Sequence, residues 1–339
     1  MAYVFLTGAT GYIGGDILHH LHAAHPEYHI SALVRGNDKA ALVAKAYPNI
    51  KVVVGDLDDS SLIEEEARQA DVVIHAATYK HVPSVEAISR GLANRSKPAH
   101  WIQVSGASVL SIPDITNNRY GEAPQKCYDD VKDASELRDI IHRNSTARAV
   151  DEYLLNIPGT KTAIVFPPII YGKGSGPVNQ RSIQIPNLAR NALETRQTIQ
   201  VGKGESIWSN IHIADLAQVF VKLVEKAVTG TEEDLWNHNG LYLVGNSKAI
   251  TFGQISQLVA NAAHKAGLTD SSSVKSVNAS EADAVMGKGS IFWGTNAHQS
   301  SSRASTLLGW TQKEHSIEED IPLTVQDEAS RLGLHAGSL

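Results

Sequence analysis

The stretch that most limits how this chain folds is its opening, MAYVFLTGATGYIGG. An apolar run, Tyr3 to Leu6, ends in Thr7-Gly8-Ala9-Thr10-Gly11-Tyr12-Ile13-Gly14-Gly15. A helical apolar pattern (Ile17, Leu18, Leu21) follows at once. Strand, glycine turn and helix, in that order, are the context a dinucleotide-binding fingerprint needs. Gly8 permits a tight turn, Gly11 leaves room for backbone to approach a pyrophosphate, and Gly14 lets the helix pack close on the strand. The helix N-terminus then offers unpaired N–H groups and a positive dipole end to phosphates. The spacing is G-x-x-G-x-x-G rather than G-x-G-x-x-G, and a glycine-rich turn used only for packing is the competing reading.

Three further strands follow in alternation with helical patterns. Tyr28 to Val34 is strand two. Ile50 to Val54 is strand three, a continuous apolar run expected to be buried on both faces. A helix from Leu62 to Arg68 leads to strand four, Val72 to His75. This β-α-β-α order predicts an α/β fold, a Rossmann-type doubly wound parallel sheet. Trp101 to Val104 and Thr162 to Phe166 are expected as strands five and six. With 339 residues the chain exceeds a usual single core. The expected division is a dinucleotide-binding core over 1–170, with 211–247 returning to the sheet. A smaller C-terminal substrate lobe is expected from 171–210 and 248–335.

Composition excludes several function classes. A net charge of -6 gives no basic footprint for nucleic acid. No apolar run is long enough to span a bilayer. The single cysteine, Cys127, excludes internal disulfides and fits a reducing compartment. Strand one begins too early for a signal peptide, and the C-terminal Gly-Ser-Leu lacks the basic residue of a peroxisomal address. The expected location is cytoplasmic and the expected partner a small-molecule substrate. No metal-ligand cluster is visible in the sequence.

TGATGYIGG resembles the signature of the extended and atypical short-chain dehydrogenases/reductases. The likeness runs from Thr7 to Trp310, through the segments PPIIYG, IHIADLA and LGW. It looks like the subset called NAD-dependent epimerase/dehydratase, in a fungal group marked by PPIIYGKGSGPVNQRSIQIP and WSNIHIADL. Strand two ends in Arg35, with Lys39 close behind. A basic residue there can accept a ribose 2′-phosphate, so NADP(H) is favoured over NAD(H). The resemblance implies that Asp56 holds the adenine amino group, that Leu57 packs on the ring, and that Ala76, Ala77 and Thr78 let the cofactor lie against backbone. Together with Gly8, Thr10, Gly11, Tyr12 and Ile13, these form the expected cofactor site. Pro167 would wall one face of the nicotinamide. The family commonly forms homodimers through two helices, matched here by Val82–Leu92 and Ser145–Leu155.

The expected chemistry is less uniform. The family places a Ser or Thr after strand five to hold the substrate oxygen; aligned strand ends put Ala107 there, flanked by Ser105 and Ser108. A Tyr-x-x-x-Lys pattern, Tyr128 to Lys132, would put both side chains on one helix face, where the ammonium activates the phenol. Counting forward from strand five supports Tyr128. Counting back from strand six puts the catalytic helix at Ser145 to Asn156, with Arg143 and Ala147 at the tyrosine and lysine positions and Asp151 matching a family acid. His142 and Arg181 are further candidates, as a proton carrier and as a substrate contact. Asp215 is expected to cap the helix after IHIAD. The resulting expectation is an NADP(H)-dependent oxidoreductase acting on a small carbonyl or alcohol. A cofactor-binding regulator of the NmrA-like kind and a sugar-nucleotide epimerase or dehydratase are the alternatives.

Overall fold

The computed structural model describes residues 2–95, 97–230, 233–246, 248 and 250–334. Seven parallel strands make one sheet. The first five are β1 (Tyr3–Thr7), β2 (His29–Val34), β3 (Lys51–Val54), β4 (Val72–His75) and β5 (His100–Val104). Lys161–Phe166 and Leu241–Leu243 complete it. Across the sheet the order is Leu241–Leu243, Lys161–Phe166, β5, β4, β1, β2, β3. The winding reverses between β1 and β4. In such sheets the crevice beyond the strands' carboxyl ends at that reversal is where ligands sit.

The helices between the strands are α1 (Tyr12–Ala24), α2 (Asn37–Ala46), α3 (Ser60–Gln69) and α4 (Val82–Ala93). Period-two alternation divides the core. Phe5, Val73 and Trp101 face one apolar cluster; Val4, Leu6, Ile74 and Ile102 face the other, which includes Ile17, Leu18 and Leu21 of α1. β4 and β5 are buried along their whole length, as central strands between two helical layers must be. β3 is not, contrary to its apolar sequence. It is the edge strand, with β2 its one neighbour in the sheet, and Val54 is 49% exposed.

Three helices, Gln184–Thr195, Phe252–Lys265 and Ile317–Arg331, pack on one another. The first two also cover a parallel strand pair, Thr198–Val201 with Val274–Val277. Capping boxes at Thr251/Gln254 and Ser316/Glu319 fix where the second and third helices start, by satisfying backbone donors the first turn leaves open.

A short ladder ties this part of the chain back to the sheet. Tyr128–Asp129 pairs in parallel with Gln299–Ser300. Next to it, buried Asp130 accepts from the N–H groups of Arg303 (2.9 Å) and Leu243 (3.2 Å). Burial outweighs these bonds and pushes the Asp130 carboxyl up to about 7. Its folded value lies above its unfolded one, so the folded state binds the extra proton. Stability from this group is present below about pH 4 and is lost as pH rises to about 7. Asp130→Asn should therefore flatten the melting temperature between pH 4 and 7 relative to the parent. A slope identical in both proteins would refute this assignment.

Candidate functional site

The site is built at the β1 turn. Gly8 has φ +82°, and a Cβ there would stand 2.6 Å from the Ala76 carbonyl carbon at the end of β4. A Cβ on Gly14 would meet Gly8 O at 2.2 Å, so helix and turn can close only on glycine. Gly11 N donates to Gly8 O at 2.9 Å and tightens the turn. Gly11 is also the N-cap of α1, and no side chain caps that helix. Its leading N–H groups therefore point at the cleft without a side-chain partner, which is the donor set a pyrophosphate requires. The residues present fit a dinucleotide.

Two contiguous clefts open from this turn and share Gly11, Ala76 and Ala77. The first, about 390 Å³, gathers most of the expected adenosine-side residues: Gly8, Thr10, Arg35, Asp56 and Leu57. Arg35 is exposed and has no ion-pair partner among the described residues. Lys39 lies exposed on α2, outside the lining, and Thr78 also falls outside it. The Thr78 hydroxyl instead accepts from Lys80 N at 3.2 Å, inside its own turn. Asp58 and His81, joined at 3.1 Å, line this cleft and were not anticipated. His81 caps α4 through its ring, accepting from Ser84 N at 3.2 Å.

The second cleft, about 360 Å³, is lined by Tyr12, Ile13, Ser105, Ala107, Ser108 and Pro167, all at or beside expected positions. Tyr79, Trp208 and Phe292 complete an aromatic wall. Beneath Ser105 lies a buried ion pair: Arg148 Nε stands 3.3 Å from Asp151 Oδ2, and Arg148 Nη2 donates to Gly106 O at 2.7 Å. Burial raises the Asp151 carboxyl, against the opposing pull of Arg148 and the Ser105 hydroxyl. The Arg148 guanidinium is also 5.4 Å from the Tyr79 ring centroid. Arg148 and Tyr79 were missed in the sequence. The i, i+3 spacing of Arg148 and Asp151 on a helix was the available signal for the first.

The helix expected from Ser145 begins later, at Ala149. Arg143 and Ala147 are both exposed, so that register places solvent-facing residues at the family's tyrosine and lysine positions. The Tyr128–Lys132 pair does not share a helix face either. Asp129 Oδ1 accepts from the N–H groups of Val131 and Lys132, both at 3.0 Å, and this turn breaks any helix. Neither residue lines the two clefts. Lys126 stands 4.4 Å from the Tyr128 ring centroid, and burial together with Glu136 pushes the Tyr128 hydroxyl up to about 12. Such a phenol is a poor proton exchanger near neutrality. His142 is exposed and pairs with Glu152 at 3.0 Å.

The loop after Tyr171 is stitched to α1. Tyr12 OH donates to Gly172 O (2.6 Å), Ser175 N donates to Asp16 Oδ1 (2.6 Å), and Gly176 packs on Gly15. The cap after IHIAD is His212, whose Nδ1 accepts from Ala214 N at 3.2 Å; Asp215 instead accepts from Lys313 N (3.0 Å) and Glu314 N (3.2 Å). His212, Glu314 and His315 bring donor atoms within 4.8 Å of one another. Because His212 Nδ1 is an acceptor, its proton sits on Nε2, which packs against Gly172. That tautomer is the wrong one for metal ligation at Nε2.

Among the described residues no helix is long and apolar enough to cross a membrane. Residues 2–99 match the NmrA-like family and residues 129–238 the NAD dependent epimerase/dehydratase family. Oxidase ucsJ of Acremonium sp is 35% identical across 98% of this chain and 99% of its own length. An uncharacterized protein of Saccharomyces cerevisiae is 25% identical across 94% and 97%. In fold, the chain is similar to DesIV, a dTDP-glucose 4,6-dehydratase from Streptomyces venezuelae solved with NAD and TYD bound. Identity there is 16%, coverage 98% of each chain, and the TM-score 0.70. Sequence signature, sheet order and full-length relatives agree: this chain belongs to the extended short-chain dehydrogenase/reductase family, in its NAD-dependent epimerase/dehydratase-like branch.

Proposed function

We propose that the protein is an NADP(H)-dependent oxidoreductase that reduces a small carbonyl compound or oxidises the corresponding alcohol. The observation that carries this reading is the continuity of the two clefts through Gly11, Ala76 and Ala77, with an unpaired Arg35 at one end and Ser105, Ser108 and Tyr79 at the other. When bound, the dinucleotide supplies or accepts hydride at its nicotinamide. The chain's own tasks are to bind, orient and move a proton. The α1 N-terminus and the glycine turn receive the pyrophosphate. Asp56 and Leu57 hold the adenine, and Pro167 backs the nicotinamide. Ser105 or Ser108 holds the substrate oxygen.

Tyr79 is the proton carrier in this reading. Its hydroxyl has no hydrogen-bond partner among the described residues, and its ring lines the substrate cleft. The Arg148 charge beside the ring offsets the phenolate left when the proton departs. Steady-state NADPH oxidation against a panel of aldehydes and ketones tests the whole reading. Tight NADPH binding with no turnover on any carbonyl would instead support a non-redox regulator. That second reading draws on the match of residues 2–99 to the NmrA-like family and on the exposed Arg143 and Ala147.

The cofactor preference has its own test. Arg35→Ala should weaken NADPH by about 1.5–3 kcal/mol, roughly ten- to hundredfold, because a charge-assisted contact is lost. NADH affinity should barely change, since it lacks the 2′-phosphate. Equal losses for both dinucleotides would overturn the preference.

A further inference from the structure

The wall of the substrate cleft is aromatic and aliphatic, with Tyr12, Tyr79, Ile170, Trp208 and Phe292 in its lining. Arg181 is the one charged residue in that lining among the described residues. Its charge is already committed. Arg181 Nε donates to Glu328 Oε1 at 2.6 Å, and Nη2 donates to Glu328 Oε2 at 3.0 Å and to Asn187 Oδ1 at 2.8 Å. Nη1 points at Ser182 O, 3.4 Å away. Glu328 is buried and Arg181 partly so, and the two-pronged geometry strengthens the pair.

The far side of Arg181 carries more carboxylates than fixed cations. The cavity there, about 410 Å³, is lined by four carboxylates (Glu314, Asp320, Asp327 and Glu328) against Lys173, Arg181 and Arg331. Arg331 itself reaches toward Glu328, at 3.5 Å. A diphosphate entering the substrate cleft would lose its hydration beside a guanidinium with four of its five N–H donors occupied and a carboxylate behind it. Desolvation without compensation and like-charge repulsion both oppose that. An uncharged ring bearing one oxygen meets the opposite situation: apolar walls to cover it, and neutral polar side chains such as Ser105, Ser108, Asn179 and Gln184 to meet the oxygen.

We infer that the cleft takes an uncharged, largely apolar aromatic or alicyclic carbonyl or alcohol, and that Glu328 sets this specificity by neutralising Arg181. The inference rests on the reading of this cleft as the substrate site. Glu328 is a positioning residue; it acts through Arg181 and does not touch the substrate.

The test uses the full chain saturated with NADP+, which cannot reduce a ketone, with binding read from tryptophan emission and a Trp208→Phe control to locate the signal. Acetophenone is the neutral probe and UDP-glucose the anionic one. Acetophenone should quench saturably, and UDP-glucose should bind at least about tenfold more weakly. Glu328→Gln keeps shape and removes charge; it should shift the affinity ratio toward UDP-glucose by about tenfold or more. The comparison on the unaltered protein stands even if the variant does not fold. UDP-glucose binding more tightly than acetophenone to the unaltered protein would overturn the inference, and so would an unchanged ratio in a folded Glu328→Gln protein. NADPH binding, followed separately by nicotinamide fluorescence, tells the two failures apart. Its loss sinks the oxidoreductase reading and this inference together, whereas intact NADPH binding with a preference for UDP-glucose sinks this inference alone.

Discussion

Gly14→Ala should abolish measurable dinucleotide binding and lower the melting temperature. The added methyl would stand 2.2 Å from Gly8 O and 2.6 Å from the Gly8 carbonyl carbon. Both are backbone atoms, so no side chain can swing aside. Helix α1 must lift off the turn, and its uncapped N–H groups leave the position that receives phosphate. Overpacking of this kind costs about 1–3 kcal/mol of stability. Gly11→Ala is the instructive partner. Its methyl meets Gly8 O at 3.2 Å and otherwise faces the clefts. It should leave the fold nearly intact while weakening dinucleotide binding. Circular dichroism melts and NADPH fluorescence titrations on the two variants separate the structural use of a glycine from the ligand-facing one. Wild-type binding by Gly14→Ala would remove the turn from the site altogether.

The second large effect is expected at Tyr79. If it carries the proton, Tyr79→Phe should lower kcat by a factor of about 10² to 10⁴, the usual range for a positioned acid–base group. The loss should fall on kcat, with NADPH affinity retained, because Tyr79 lines the substrate cleft and not the adenosine cleft. The pH–rate profile should lose its basic limb. Tyr128→Phe decides the competing case. Were the Tyr128–Lys132 pair the donor, that variant would take the loss and Tyr79→Phe would not. Arg148→Lys keeps the charge but not the bond to Gly106 O, and should fall between the parent and Tyr79→Phe.

The fold was readable because its signals are local. β4, Val72 to His75, matched its sequence range, and α1 began at Tyr12, directly after Gly11 of the glycine turn. A β-branched run and a glycine turn act over a few residues, so one sequence suffices to see them. β3 shows the limit. Its valines read as a buried strand, but strand order, a non-local property, put it at the sheet edge. That the residues expected on the adenosine side line one cleft was legible for the same reason as the fold. Its residues follow directly on strand ends, and strand ends were placed well.

The substrate cleft was less legible. Tyr-x-x-x-Lys carries meaning only on a helix, and a single Asp129 side chain bonding two backbone N–H groups turned that segment elsewhere. Tyr79 follows β4 in an ordinary-looking loop, and its meaning comes from Arg148, far along the chain. Arg181 read as a candidate substrate contact. Its partner Glu328 lies on a helix near the other end of the chain, and no local pattern joins the two.

One junction links the clefts beyond their shared walls. In the proposed function the N-terminal turns of α1 receive the dinucleotide, and the same turns hold the loop beside the second cleft through Tyr12, Gly15 and Asp16. Anything that firms this junction from one side firms it for the other. Linkage then fixes a symmetry: if substrate tightens the loop, it must raise dinucleotide affinity by the same factor by which dinucleotide raises substrate affinity. The two ligands therefore report on each other at equilibrium, and cutting the Ser175–Asp16 tie with Asp16→Ala should make them independent.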